Sequence, residues 1–311
     1  MFIATPAVAE PDDEGGNSTM REQLDAAARG YIEAKARYDN SKRTEIAMGE
    51  QMRTAELRLA LLSEQVGAVA AQSYRTGRLG VMTALLSSGS PDMFLARAAS
   101  VEMLALQENA RLAELNRLRR DLAQHRDRLS AELQLQAQQM AEMEKRKKDA
   151  ERALGTASRP LGGFVSGNSP AAKPAPRNAD GSWPRESCTV DDPSTGGCLT
   201  PRTYHAYQQT KAAGFNHYVS CYRSGGGGEH PLGRACDWAA AKSSFGGAAT
   251  GADRTYGDNL AMWYVKNADR LGVLYVIWYR QIWLPGSGWR AYSGRGSPSA
   301  EHTNHVHLSV Y

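Results

Sequence analysis

His230 and Asp237 bracket the run HPLGRACD, and a second pair of histidines, His305-Val306-His307, stands close to the end of the sequence. Two imidazoles and a carboxylate make a His2Asp donor set, which suits catalytic zinc: three protein ligands leave the fourth position open for water or substrate. The segment from His305 to Val310 reads as a strand, where residues two apart share a face. His305 and His307 therefore face one pocket, where one can ligate while the other contacts the reacting oxygen.

These residues need a rigid frame, and the composition from about residue 187 onward supplies one. Gly, Trp and Tyr are frequent, and all four cysteines, Cys188, Cys198, Cys221 and Cys236, fall there. No CxxC pair exists, so zinc-ribbon chemistry is not offered; an even set confined to one compact region points to disulfides in an oxidising compartment. Nearness in sequence pairs Cys188 with Cys198 and Cys221 with Cys236, although four cysteines permit three connectivities. Thr200 and Pro201 start a helix that Gly214 ends, and Tyr256 to Leu271 forms a second, closed by Gly272. Strands are expected over His217 to Tyr222, Arg234 to Trp238, Val273 to Trp278 and His305 to Val310. The result is a small α+β domain over 187–311. Trp263, Tyr264, Tyr275, Trp278, Tyr279, Trp283 and Trp289 are mostly core, one or two of them available to a glycan or peptide.

The preceding sequence is of another kind. Between Met20 and Leu154 there is a single proline, and Ala, Leu, Gln, Glu, Lys and Arg dominate. Leu24, Tyr31, Tyr38, Met52, Leu59, Leu62, Val66 and Val69 recur at helical spacing, as do Val101, Leu104, Leu115, Leu118, Leu122, Leu129, Leu133, Met140 and Met143. Glycines and SSGSP punctuate 75–91, so the chain is expected to fold back there into an antiparallel coiled-coil hairpin over 20–154. Leu79, Val81, Met82, Leu85 and Leu86 form an apolar element near its tip. A parallel dimer with a stutter would satisfy the same stripes. His125 falls on this coiled coil as a solvated or seam residue, and His205 and His217 have no partners in the sequence. Residues 155–186 carry five prolines, four of them before Trp183, and little apolar content, the composition of a linker.

Residues 1–19 read as the tail of a signal peptide and a flexible N-terminus, with Ala7-Val8-Ala9 as the small-x-small cleavage pattern. No apolar run is long enough to span a bilayer. The net charge of +4 is spread over both signs without a basic block interleaved with aromatics, which argues against a nucleic-acid partner.

His230, Gly233, Ala235 and Asp237 match the HxxGxAxD signature of D-alanyl-D-alanine carboxypeptidases and L-alanyl-D-glutamate (VanY-like) peptidases. HVH matches the HxH of the wider lysostaphin/D-alanyl-D-alanine peptidase superfamily, and Tyr222-Arg223-Ser224 resembles the YRS those enzymes carry upstream. The run CYRSGGGGEHPLGRACDW, with VIWYRQIW and EHTNHVHLSV, resembles the C-terminal domain of secreted actinobacterial coiled-coil proteins. SYRTGRLGVMTALLSSGSPDMFLARAASVEML is similar to the hairpin tip of division-associated cell-wall hydrolases and their activators.

The resemblance implies zinc held by His230, Asp237 and His307, a contact from His305 to a zinc ligand or to the transition state, and Arg223 binding a substrate carboxylate or oxyanion. It implies an exported, cell-wall-associated peptidase acting on peptidoglycan stem peptides, positioned or gated by a hairpin that docks on an FtsE/FtsX-type membrane complex. One position departs from the pattern: many relatives carry an acidic general base three residues before the last histidine ligand, where this chain has Asn304. Glu301 or His302 can stand in as base, or His305 can serve without it. The competing expectation is a catalytically impaired module that binds wall or activates another hydrolase.

Overall fold

The computed structural model describes residues 18–87, 89–153, 169–292, 294 and 296–311. The signal-peptide-like segment and the first part of the expected linker lie outside them. Contacts separate two compact units, one of residues 41–137 and one that joins the residues up to Asn40 to those from Gln138 onward.

Two long helices, α1 (Ser18–Leu86) and α2 (Pro91–Ala153), account for the helical half. Within 41–137 the arms run antiparallel, because cross-arm partners pair in opposite order: Ser41 with Glu132, Gln136 Nε2 with Glu45 at 3.0 Å, Arg126 with Glu56 at 3.1 Å, and Arg58 with Glu114. Met48, Met52, Ala55, Leu59, Leu62, Val66 and Val69 are among the sheltered positions of one arm; Leu115, Leu118, Leu122, His125, Leu129, Glu132 and Gln136 are among those of the other. Both sets alternate steps of three and four, the heptad seam of a coiled coil. Leu104, Leu133 and Met140, expected in that seam, are 52%, 46% and 55% exposed. Around Leu133 the seam is held instead by polar residues with partners on the other arm, Glu132 and Gln136.

The arms meet through a turn after Leu86, and Ser90 Oγ caps α2 by accepting from the Met93 amide at 3.2 Å. Gly77 breaks the helical dihedrals of α1 with φ at +60°. Met82 and Leu86 are exposed, as are Met93, Phe94 and Leu95. Leu79 and Val81 have side chains outside those described.

The C-terminal domain is an α+β fold. Its small sheet pairs β1 (Val190–Asp191) with β2 (Cys198–Leu199). The main sheet is built from β3 (Val219–Ser220), β4 (Ala235–Ala239), β5 (Val273–Trp278), β6 (Gln281–Leu284), β7 (Gly288–Ala291) and β8 (His305–Val310). They are arranged antiparallel in the order β3-β4-β8-β5-β6-β7. The closing strand β8 thus sits in the interior of the sheet, between β4 and β5.

Helix α3 (Pro201–Ala212) begins on Thr200, whose side chain accepts from the Thr203 amide. Sequence spacing joined Tyr256 to Leu271 in one helix; the chain instead forms α4 (Gly251–Lys266) and a short α5 (Ala268–Leu271), separated at Asn267. β6 and β7 were not foreseen, because each is four residues long and a Pro-Gly turn masks their alternation. Trp238, Val306, Leu308, Val310 and Trp278 belong to the buried cluster that also holds Leu260 and Tyr264 of α4.

Residues 169–186, part of the expected linker, lie along this domain. The Ala172 amide donates to Asn267 Oδ1 at 2.9 Å, the Ala175 amide to the Arg270 carbonyl at 2.7 Å, and Trp263 Nε1 to the Pro170 carbonyl at 2.8 Å. Disulfides join Cys188 to Cys198 and Cys221 to Cys236.

Candidate metal centre

The alternation that packs Val306 and Leu308 beneath the sheet sends His305, His307 and Ser309 to its opposite face. β4 pairs Asp237 directly with His307, so the carboxylate and the imidazole stand side by side on that face. His230 arrives from a 3-10 turn, His230–Leu232, that immediately precedes β4. Gly233 closes the turn with φ at +67°, and a Cβ there would lie 2.3 Å from Cys188 Sγ and 2.7 Å from the Cys198 carbonyl. The glycine of HPLGRACD is therefore required by the disulfide-bonded β1–β2 loop beneath it.

His230, Asp237 and His307 are all buried, and one ligand atom from each falls within 4.8 Å of the others. Their hydrogen bonds define which atoms look inward. The Cys221 carbonyl can only accept, so His230 Nδ1 carries the proton and its Nε2 presents a lone pair. That Nε2 stands 3.2 Å from Asp237 Oδ2 and 3.2 Å from His307 Nδ1. His307 Nδ1 is 2.8 Å from Asp237 Oδ1, and its Nε2 is 2.8 Å from Ser309 Oγ. A bare nitrogen facing a carboxylate oxygen with no proton between them is an arrangement that a cation resolves. The donor set of two nitrogens and a carboxylate is one that could hold a divalent metal ion.

Residues 195–303 match the family model of the VldE C-terminal domain. The VldE-matched stretch includes Arg223, His230 and Asp237 and ends before His305 and His307. No curated protein and no solved structure matches the chain.

Arg223 Nη1 donates to Asp237 Oδ2 at 2.8 Å and keeps 23% of its side chain exposed. Burial alone would raise the Asp237 carboxyl, but His230, His305 and the Arg223 guanidinium outweigh it and hold the group well below the usual carboxylate range.

His305 stands next to the trio, its Nε2 3.6 Å from Asp237 Oδ1. Burial pushes its imidazole down to about 4, so it is neutral at physiological pH. Asn304 fixes the tautomer. Its Nδ2 donates to the Gly246 carbonyl at 3.1 Å and to Ser299 Oγ at 3.0 Å, which turns Oδ1 toward His305 Nδ1 at 2.8 Å. With Nδ1 donating, the lone pair of His305 is on Nε2, the atom nearer Asp237.

The two fallback bases fare differently. Glu301 is nearly buried and pairs with Arg280 at 3.3 Å. His302 is fully buried in a left-handed backbone conformation, φ +51°, with ring centroids 4.7 Å from His305 and 5.6 Å from His307. Burial, reinforced by the neighbouring His305 and His307, holds His302 well below its ordinary range. His217 and His205 are occupied elsewhere, on the Ala240 carbonyl at 2.7 Å and the Lys173 carbonyl at 2.8 Å.

Sequence reasoning did not single out Ser309 or Tyr275. Ser309 continues the period-two alternation of His305 and His307, so the same strand argument extended by one step finds it. Tyr275 stacks on His307 with centroids 5.5 Å apart and planes 10° apart, a contact across two strands with no local signature.

Proposed function

We propose that residues 187–311 form a zinc-dependent peptidase module of an exported cell-wall protein, acting on a peptide bond of peptidoglycan stems. The observation that carries this reading is the inward convergence of His230 Nε2, His307 Nδ1 and the Asp237 carboxylate on one sheet face. Its wider support is the likeness of HxxGxAxD and HxH to the lysostaphin/D-alanyl-D-alanine peptidases. When bound, zinc supplies a Lewis acid for the scissile carbonyl and brings the pKa of its water to about 7.

The chain's own residues supply the rest. His305, neutral and held by Asn304 with Nε2 bare, accepts a proton beside the ligand trio. This role needs no carboxylate at residue 304. Arg223 keeps Asp237 ionised and, through its exposed part, offers positive charge to a substrate carboxylate or a developing oxyanion. The two disulfides suit an oxidising, extracytoplasmic location. The exposed apolar residues flanking the hairpin turn suit docking on an FtsE/FtsX-type membrane complex.

The test is zinc analysis combined with digestion of purified sacculi. The expected result is one zinc per chain and release of stem-peptide fragments, abolished by EDTA and by His230→Ala. Release that continues in His230→Ala sinks the proposal. The substitution of Asn304 for the acid of many relatives favours a second reading, a non-catalytic module that binds wall or activates another hydrolase. Zinc binding without any release from sacculi would decide for it.

A further inference from the structure

We propose that Arg29, in the first turns of α1, is a positioning residue for the metal centre, acting through Glu229 on the turn that presents His230. The proposal rests on the metal-binding reading of His230, Asp237 and His307.

Helix α1 packs on the face of the sheet that carries these ligands. Leu24 and Ala28 form one buried cluster with Tyr275, Ile277 and Tyr292, and Tyr275 is the ring stacked on His307. The approach is close at the β6–β7 turn: Gly286 has φ at +80°, and a Cβ there would lie 2.5 Å from the Tyr31 ring.

Against this packed face, Glu229 is only 2% exposed, yet it carries a carboxylate. Two guanidiniums neutralise it. Arg29 Nη2 meets Oε1 at 2.8 Å, and Arg234 Nε meets Oε2. The Glu229 carbonyl also accepts from the Leu232 amide at 3.2 Å and the Arg234 amide at 2.9 Å. The residue next to the ligand is thus the anchor of the ligand turn, and one of its two charge partners comes from the helical half of the sequence.

The same stretch of helix holds the strand that carries His307. The Arg29 guanidinium lies 5.3 Å from the centre of the Tyr311 ring, and Tyr311 donates its hydroxyl proton to Glu33 Oε1 at 2.6 Å. A buried carboxylate that loses one of two cations is left undercompensated and must move toward water. That movement displaces the backbone that aims His230 Nε2. Partners one shell beyond the ligands set metal affinity by fixing ligand orientation.

The experiment measures zinc affinity of the full-length protein by competition with a chromogenic chelator, with thermal melting of the metal-free forms alongside. Arg29→Ala is expected to weaken zinc binding about tenfold or more, within the range for such supporting residues. Arg29→Lys, which restores a cation to Oε1, is expected to recover most of the loss, with melting of the metal-free forms little changed. Should Arg29→Ala fold poorly, Arg29→Gln keeps the packing over Tyr311 and carries the same expectation. Unchanged affinity in the alanine or glutamine variant overturns the proposal while leaving the metal centre standing. Equal losses in the lysine and alanine variants overturn it too, since charge would then be irrelevant. Wild-type protein that binds no zinc overturns the metal-centre reading and this proposal together.

Discussion

Replacing Asn304 with aspartate restores the acidic residue that many resembling peptidases carry at this position, and a sequence argument expects the change to raise hydrolysis. The structure gives the opposite expectation. Asn304 is 2% exposed, and its amide nitrogen is committed to the Gly246 carbonyl and to Ser299 Oγ. Ser299 can rotate its hydroxyl to donate to a carboxylate, so that bond is recoverable. The Gly246 carbonyl cannot donate; it would face an anionic oxygen at about the former hydrogen-bond distance, with both acceptors unsatisfied. Leaving a buried polar group unpaired costs about 1–3 kcal/mol. A charge-assisted bond from His305 Nδ1 offsets part of this. That bond also holds the new carboxylate on His305 Nδ1, so residue 304 offers no second base to a substrate. Asn304→Asp is therefore expected to lose about 1–3 kcal/mol in urea unfolding and to digest sacculi no faster than wild type. A variant as stable as wild type that cleaves faster would show that residue 304 faces the substrate and that His305 is not the proton acceptor.

Two further outcomes follow from the geometry around the trio. His302 and His305 are both held below the ordinary histidine range by burial, so the unfolded chain takes up their protons first as pH falls. Stability is therefore fully present above about 6.5 and lost below it. The loss tends to about 1.4 kcal/mol per pH unit for each histidine, until His305 titrates near 4. Urea titrations of EDTA-treated protein between pH 7 and 4.5 read that slope, and it should halve in a His302→Phe variant; a flat profile would refute the assignment of both as buried neutral imidazoles. Gly233→Ala places a Cβ against Cys188 Sγ and the Cys198 carbonyl at a positive φ. It should impair formation of the Cys188–Cys198 disulfide, read by mass spectrometry of alkylated protein, and weaken zinc binding with it.

The parts of this chain that sequence made legible are those whose constraint is local. A strand's period of two is enough to put His305 and His307 on one face, and the HPLG turn followed by a five-residue strand puts Asp237 on the same face as its neighbour in β8. The coiled-coil arms show where a local rule fails. The apolar stripe appeared to continue from Leu129 to Leu133 and Met140, whereas the seam runs from Leu129 to Glu132 and Gln136. Those polar residues are stable there because Ser41 and Glu45 on the other arm complete their hydrogen bonds. Hydrophobic periodicity cannot register a seam position held by a partner some 90 residues away in the chain.

The same reasoning locates what sequence left invisible at the metal centre. Asn304 reads as a missing base only if its side chain is assumed to point where a relative's carboxylate points. The three hydrogen bonds that turn it away come from Gly246, Ser299 and His305, and only the last two are near it in sequence. Glu229 likewise reads as an acidic residue of a glycine-rich loop. Its burial draws on Arg29, 200 residues earlier, as well as on the nearby Arg234, so the local sequence shows only half of its pairing. In both cases the ligand types were legible from the chain, while the atoms that orient them were not. For a metal site the second set decides whether a bound ion is merely held or is placed for chemistry.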